Sequence, residues 1–403
     1  MKIHYVIHLV KQLNGVMSRL TSLYIILGWC FVMHAQQVGT TTITFNDPSR
    51  TGGFGSGGGA GRQIQTEIYY PATTAGTDVP VSVGEFPIVV FGHGFVMAWD
   101  AYENIWTDLV ANGYIVAFPR TEGGFSPSHE DFGKDLALVV DELLVLHNDV
   151  TSLFNNRLSG KAAICGHSMG GGATFIGANE TTNIQTIIGL APAETNPSAI
   201  TEAASVSLPA LVLSGAADGV TPEADHHLPI FNALTSTCKY YVSITGGAHC
   251  YFANPNFNCD TGEAFSAGGI TVTRIEQQET TSDYMIPWLN IYLKDQCDDK
   301  LLIDALEAND VRTEVNAQCI FDCEQPTSGL SNLSPAQISI YPNPVTDELT
   351  INGILATDNV RFTNSLGVLV FEGIGSKSLD VTNLPNGVYF LEVNETSFKV
   401  IKR

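Results

Sequence analysis

Gly166-His167-Ser168-Met169-Gly170 is the stretch that decides the fold. It reads G-x-S-x-G, and it sits where a buried strand should turn into a helix. Lys161-Ala162-Ala163-Ile164-Cys165 before it is a short apolar run of strand type, and residues 171–178 after it are small enough to open a closely packed helix. A serine on so sharp a turn occupies a strained backbone, and its Oγ stands clear of the sheet. The flanking positions are glycine because side chains there would collide with the neighbouring strand and helix. The motif therefore predicts a serine nucleophile at the carboxyl end of a buried strand.

Two partners follow in chain order. Pro209-Ala210-Leu211-Val212-Leu213-Ser214-Gly215 reads as another buried strand, with Asp218 just beyond it. An acid placed there can reach the mouth of an open α/β sheet. Tyr240-Tyr241-Val242-Ser243-Ile244 reads as a third strand and leads into Gly246-Gly247-Ala248-His249-Cys250. Asp218 could instead serve an Asp-Gly turn. Asp225, expected inside the next helix, is a rival acid; His226 and His227 are rival bases, although they precede the strand. The order Ser168, Asp218, His249 is the α/β-hydrolase order. In such a triad His249 takes the serine proton during attack and returns it to the leaving group. Asp218 holds the imidazole tautomer. The oxyanion that forms needs donors already in place, each worth on the order of 3 kcal/mol in kcat. The Met169 N–H, directly after the nucleophile, is one candidate. The Phe95 N–H is the other, in the loop Gly92-His93-Gly94-Phe95 after the strand Phe86-Pro87-Ile88-Val89-Val90-Phe91. His93 reads as a positioning residue rather than a base.

Residues 100–111, 131–148, 222–234 and 282–293 are expected to be helical, the second from apolar Leu136, Val139, Val140, Leu143 and Leu144 at helical spacing. Residues 114–118 read as a strand, and His129 and Glu130 as part of the loop that follows it. Strands alternating with helices predict an α/β fold, a mostly parallel sheet with helices on both faces. Candidate pocket aromatics are Phe95, Trp99, Tyr102, Phe125, Tyr251 and Phe252, and Phe95, His167, Trp99 and Tyr251 are the expected substrate-binding residues.

From about residue 62 to residue 293 the chain resembles α/β-hydrolases of the dienelactone hydrolase, chlorophyllase and cutinase-like polyesterase group. Thr66-Glu67-Ile68-Tyr69-Tyr70-Pro71 resembles the group's opening strand. Gly94-Phe95 stands at the oxyanion-loop Gly-Tyr of cutinase-like polyester hydrolases. Gly166 to Gly172 resembles their nucleophile turn, and Gly246-Gly247-Ala248-His249 their histidine loop. The resemblance implies carboxylic-ester hydrolysis with Ser168, Asp218 and His249 as the triad. Three departures bear on substrate. Ala193 replaces the tryptophan that follows the Ala-Pro pair, Phe95 replaces the tyrosine, and the loop of residues 250–282 is longer.

The chain ends speak of location. Arg19 precedes the apolar run of residues 23–33, which ends near Ala35, so residues 1–35 read as a signal peptide, with Met17 as an alternative start. A lipoprotein reading through Cys30 is weaker because Trp29 is bulky. At the other end, alternating strands at residues 348–351, 360–362, 368–371 and 388–393 are separated by turn signals such as Pro385-Asn386-Gly387, which predicts a small all-β sandwich. Tyr341-Pro342-Asn343-Pro344, Asn386-Gly387-Val388-Tyr389 and the closing Lys399-Val400-Ile401-Lys402-Arg403 resemble the C-terminal sorting domain of the type IX (Por) secretion system of Bacteroidetes. That resemblance implies export by this machinery; a carbohydrate-binding or adhesion module is the alternative. The expected division is a catalytic domain at 36–323, a linker at 324–335 and the sorting domain at 336–403.

The 403-residue chain carries 19 Lys+Arg against 41 Asp+Glu, a formal charge of −22. Such a surface repels nucleic acid and anionic lipid, and it suits a secreted monomer. Eight cysteines fit an oxidising compartment. Cys165 reads as a buried thiol, Cys250 pairs with Cys259, and Cys297 pairs with Cys319 or Cys323, which leaves Cys238 alone. A zinc site at Cys319 and Cys323 lacks histidine support, and the expected chemistry uses no cofactor. Three functions are carried forward: a secreted serine esterase acting on small esters or lipids, a polyester hydrolase, and a non-catalytic adhesion protein on a hydrolase scaffold.

Overall fold

Runs of valine, isoleucine and aromatic residues build the middle of a single large sheet. The computed structural model describes residues 37–266, 268–321, 339–352, 358–364, 368–393 and 396–403. The signal-peptide reading at 1–35, Cys30, Cys323 and the linker at 324–335 lie outside the described residues. The chain divides into two compact units, Met1–Gln325 and Pro326–Arg403.

In the first unit the principal strands are β1 (Gln37–Asp47), β2 (Arg62–Ala72), β3 (Phe86–Gly92), β4 (Ile115–Pro119), β5 (Leu158–His167), β6 (Thr186–Leu190), β7 (Ala210–Gly215), β8 (Cys238–Ile244) and β9 (Thr313–Cys319). Their order across the sheet is β9-β8-β7-β6-β5-β3-β4-β2-β1. Strands β4, β3, β5, β6, β7 and β8 run parallel, while β1, β2 and β9 add antiparallel edges. Parallel strands buried on both faces read as unbroken apolar runs, and every residue of β3, β4, β6, β7 and β8 is buried. The helices are α1 (Glu103–Ala111), α2 (His129–Val145), α3 (Met169–Ala178), α4 (Ala199–Ala203), α5 (His227–Ala233), α6 (Phe257–Ser266), α7 (Arg274–Lys294) and α8 (Lys300–Asn309). One core cluster joins Phe132, Leu136 and Val140 of α2 and Phe175 of α3 to the sheet. A second joins Leu109 of α1 and Trp288 of α7 to the opposite face. The α/β expectation with helices on both faces therefore holds.

Because β5 pairs with β3 on one side and β6 on the other, the chain reverses its winding direction between β3 and β5. Ligands bind at such a switch point, beyond the carboxyl ends of the strands. Gly92 at the end of β3 lies directly opposite Gly166 near the end of β5. The approach is close: a Cβ on Gly170 would lie 2.2 Å from the Gly92 backbone. The Gly170 N–H donates to the His93 carbonyl at 3.1 Å, which binds the nucleophile turn to the neighbouring loop.

Several element bounds differ from expectation, each for a local reason. The helix expected at 282–293 starts at Arg274, because Thr273 and Glu276 form a reciprocal capping box. The helix expected at 222–234 is only His227–Ala233. Residues 223–226 form a turn, so Asp225 lies outside the helix. His129 and Glu130 open α2 rather than sit in a loop, with Ser128 as the N-cap accepting the Asp131 N–H at 3.2 Å. Strand β9 was not foreseen, since only alternate residues of Thr313–Cys319 are partly covered. It is the reason the cysteine scheme changes. β9 sets Cys319 opposite Cys238, and these two form a disulfide. The expected Cys297–Cys319 pair and lone Cys238 are therefore wrong. Cys297 is disulfide-bonded. Cys250–Cys259 forms as expected, and Cys165 is a free, buried thiol.

The second unit contains β10 (Ser339–Tyr341), β11 (Glu348–Asn352), β12 (Asn359–Asn364), β13 (Leu369–Ile374), β14 (Ser378–Asp380), β15 (Gly387–Val393) and β16 (Thr396–Lys402). They form a three-stranded sheet, β10-β11-β14, and a four-stranded sheet, β13-β12-β15-β16, all antiparallel. Leu349, Ile351, Val360, Phe362, Tyr389, Leu391 and Val400 from both sheets share one core, as a small sandwich requires. Among the described residues no helix is long and apolar enough to cross a membrane.

The Cys238–Cys319 disulfide closes a sequence separation of 81 residues. Its loss through Cys238→Ser with Cys319→Ser is expected to cost about 4 kcal/mol of stability on loop-closure entropy. Urea unfolding checks this; an unchanged midpoint would contradict it.

Candidate active site

Ser168 lies between β5 and α3 with φ 57° and ψ −120°, a conformation that side chains rarely adopt. Such strain persists only where the surroundings impose it. Here the Ser168 N–H donates to the Leu190 carbonyl at 2.9 Å, and the Ser168 carbonyl accepts from the Gly172 and Ala193 N–H groups, each at 2.9 Å. Ser168 is 8% exposed, and its hydroxyl faces His249. His249 Nε2 is 2.9 Å from Ser168 Oγ, and His249 Nδ1 is 2.7 Å from Asp218 Oδ2. The three residues come from the ends of β5, β7 and β8, and the structure brings them together in the predicted order.

Asp218 is held firmly. Its Oδ1 accepts the N–H groups of Val220 at 2.8 Å and Thr221 at 2.7 Å. Burial pushes this carboxyl up, but the His249 hydrogen bond, nearby imidazole charge and the Thr221 N–H outweigh it, so it sits below the usual carboxylate range. An ionised Asp218 can only accept. The Nδ1 of His249 therefore carries the proton, and Nε2 presents its lone pair to the serine hydroxyl.

A second layer of polar side chains surrounds the triad, and sequence reasoning missed most of it. Thr221 Oγ1 donates to Asp218 Oδ2 at 3.0 Å and lies 2.9 Å from His249 Nδ1. It is also 3.0 Å from Nε2 of the fully buried His227, whose Nδ1 is 2.6 Å from Ser214 Oγ. His227, read as a rival base, thus stands behind Asp218, across Thr221. Burial pushes it down to about 3, so it is neutral. The other rival base, His226, is engaged elsewhere: its Nδ1 accepts the Glu194 N–H at 2.9 Å. His129 Nδ1 accepts the Asn196 N–H at 3.1 Å.

His167 was expected to touch substrate. It is fully buried instead, with both ring nitrogens occupied. Its Nε2–H donates to the His249 carbonyl at 3.0 Å, and its Nδ1 accepts from the Tyr102 hydroxyl at 2.9 Å. That hydroxyl accepts the Gly94 N–H at 2.8 Å. Burial, then the nearby His249, holds His167 well below the ordinary imidazole value. It links the oxyanion loop to the histidine loop under the site. Tyr102 and Phe252, expected among the pocket aromatics, are also fully buried. His93 is buried with Nε2 2.9 Å from the Thr121 carbonyl, consistent with a role in shaping its loop.

Met169 opens α3, so its N–H is among those for which a helix supplies no acceptor. Phe95 is 45% exposed and meets Phe125, 86% exposed, edge to face at 6.5 Å between ring centres. Trp99 is half-buried under the Arg120 guanidinium, 3.7 Å from the ring centre, and Tyr251 is half-buried against Arg274 at 4.5 Å. Among the described residues no three His, Cys, Asp or Glu side chains gather into a metal-binding cluster.

The chain is similar in sequence to known proteins. Residues 33–296 match the family described as PET hydrolase-like, and residues 339–403 match the secretion system C-terminal sorting domain. A bis(hydroxyethyl) terephthalate hydrolase of Streptomyces coelicolor is 28% identical over 183 residues, 45% of this chain and 54% of that protein. Cutinase 2 of Thermobifida cellulosilytica is 28% identical over 213 residues, 52% of this chain and 72% of that protein. Cutinase cut1 of Thermobifida fusca is 28% identical over 213 residues, and 59% of its length is covered. The chain thus spans little more than half the length of some of these relatives.

The buried histidines make stability pH-dependent. Unfolded imidazoles titrate near 6.5, whereas His227 stays neutral until about 3. Between those values the unfolded chain binds more protons, so stability falls as pH is lowered. Unfolding free energy measured from pH 7 to pH 4 is expected to decline, and less steeply in His227→Gln. An identical slope in the variant would contradict the assignment.

Proposed function

The chain belongs to the PET hydrolase-like family, and from that premise we propose that it is a secreted serine hydrolase of carboxylic esters working through an acyl-enzyme. The observation that carries this reading is the line Ser168 Oγ, His249 Nε2, His249 Nδ1, Asp218 Oδ2, with steps of 2.9 Å and 2.7 Å across the ring. Ser168 attacks the ester carbonyl as its proton passes to His249 Nε2. The Met169 and Phe95 N–H groups receive the oxyanion. His249 then protonates the departing alkoxide, and the acyl group stays on Ser168. Water then takes the alcohol's place and attacks the acyl carbonyl as it gives a proton to His249, and His249 passes that proton to Ser168 Oγ as the acyl–serine bond breaks and the acid leaves. Asp218 stays ionised throughout and stabilises the imidazolium. A non-catalytic scaffold would have no need of so complete a proton path.

A polyester substrate is the second reading. It is favoured by the exposed Phe95–Phe125 pair beside the oxyanion loop and by relatives named cutinase and bis(hydroxyethyl) terephthalate hydrolase. Ala193, where cutinase-like polyester hydrolases carry tryptophan, leaves less aromatic surface for gripping an aromatic unit. Secretion suits an insoluble polymer, and the match of residues 339–403 to the sorting domain supports export through the type IX machinery.

Purified protein is expected to hydrolyse p-nitrophenyl butyrate and to take up a fluorophosphonate label on Ser168. Ser168→Ala is expected to lose at least about 10⁴-fold in kcat. No turnover and no label in the wild type would return the protein to the adhesion reading. Incubation with polyester film separates the substrates. Release of soluble monomers supports the polymer reading, and an untouched film beside rapid cleavage of short esters ends it.

A further inference from the structure

The ten-residue helix α6 is attached to the domain in an unusual way. A surface helix normally buries an apolar stripe. In α6 the buried side chain is Glu263, while Phe257 and Phe265 stand 85% and 90% exposed. Covalent and polar ties do the work of packing. Cys259 is disulfide-bonded to Cys250, the residue after His249. Asp260 accepts from Arg274 Nη2 at 2.7 Å, and Arg274 Nη1 donates to the Ala253 carbonyl at 2.6 Å. Asn258 Nδ2 donates to the Val96 carbonyl at 3.0 Å.

Glu263 spends its carboxylate on two main-chain amides. Its Oε1 accepts the His249 N–H in a short hydrogen bond, and its Oε2 accepts the Cys250 N–H at 3.2 Å. A buried carboxylate is costly unless such bonds satisfy it. Burial pushes this carboxyl up, against the opposing pull of the two amides. From the other side, His167 Nε2–H holds the His249 carbonyl. Both polar groups of the His249 main chain are thereby fixed, and with them the direction in which its side chain leaves the backbone.

We propose that Glu263 is a positioning residue for the hydrolysis, that α6 exists to deliver its carboxylate to the His249 and Cys250 amides, and that the Cys250–Cys259 disulfide keeps the helix in place. The kinetic side of this inference rests on the ester-hydrolase reading; the structural side does not. Displacement of a catalytic group by about 1 Å can cost about 100-fold in rate.

The full chain is compared as wild type, Glu263→Ala, Glu263→Gln and Cys259→Ser, by p-nitrophenyl butyrate kinetics and by amide hydrogen exchange at residues 249 and 250. Glu263→Ala is expected to lower kcat about 100-fold with KM within about twofold. Glu263→Gln keeps one acceptor oxygen and restores part of the loss, and Cys259→Ser falls between. The two amides exchange slowly in the wild type and fast in Glu263→Ala, with the rest of the domain unchanged. If Glu263→Ala does not fold, Glu263→Gln carries the test through its smaller kcat loss and faster exchange. Wild-type kcat in a folded Glu263 variant, or unchanged exchange at 249 and 250, overturns the proposal. A wild type inactive on every ester removes the functional reading, and the exchange result still decides whether Glu263 holds the histidine loop.

Discussion

The hydrogen bond between His249 Nδ1 and an ionised Asp218 is the interaction on which the site depends. It places the imidazole proton on Nδ1 and leaves the Nε2 lone pair for Ser168. That direction is kept only while Asp218 remains an acceptor, and burial alone would push it toward protonation. The Val220 and Thr221 amides and the Thr221 hydroxyl oppose burial. His227, kept neutral behind them, adds a hydrogen-bonding partner without a competing positive charge. The acid, the base and the serine are thus parts of one buried polar network in which each member fixes the next.

The sheet explains why the members can meet. Reversal of winding between β3 and β5 brings the loop after β3 beside the turn after β5. Glycines 92 and 170 let the two backbones touch, and a Cβ at either would collide with the other chain segment. Tyr102 and His167 then connect the oxyanion loop to the histidine loop beneath the reacting atoms. This polar layer is buried and built largely of side chains, so its geometry is set by the fold, which is what stabilisation of a developing oxyanion would require.

The fold and the three side chains that the structure brings into line were legible because each leaves a local mark. A strand, then G-x-S-x-G, then a small-residue helix identifies Ser168. An acid after one apolar strand and a histidine after the next identify Asp218 and His249. The supporting layer leaves no such mark. Thr221, Tyr102 and Glu263 carry no local signal of their role, because the partners they meet lie 28 positions away for Thr221 and His249, 65 for Tyr102 and His167, and 14 for Glu263 and His249, and are joined only by folding. His167 looked like a cleft residue from its place beside Ser168, yet as the last residue of β5 it is fully buried and bonded to the Tyr102 hydroxyl and the His249 carbonyl. The Cys238–Cys319 pair was hidden for the same reason, since β9 has too few apolar residues to announce itself as a strand.

A crystal structure of the Ser168 phosphonyl adduct would show where the oxyanion sits, because the adduct mimics the tetrahedral intermediate. Phosphorus is expected to be bonded to Ser168 Oγ, with one phosphoryl oxygen about 2.7–3.1 Å from both the Phe95 and Met169 nitrogens and His249 still bonded to Asp218. An adduct on another residue, or a phosphoryl oxygen facing away from those two amides, would contradict this arrangement.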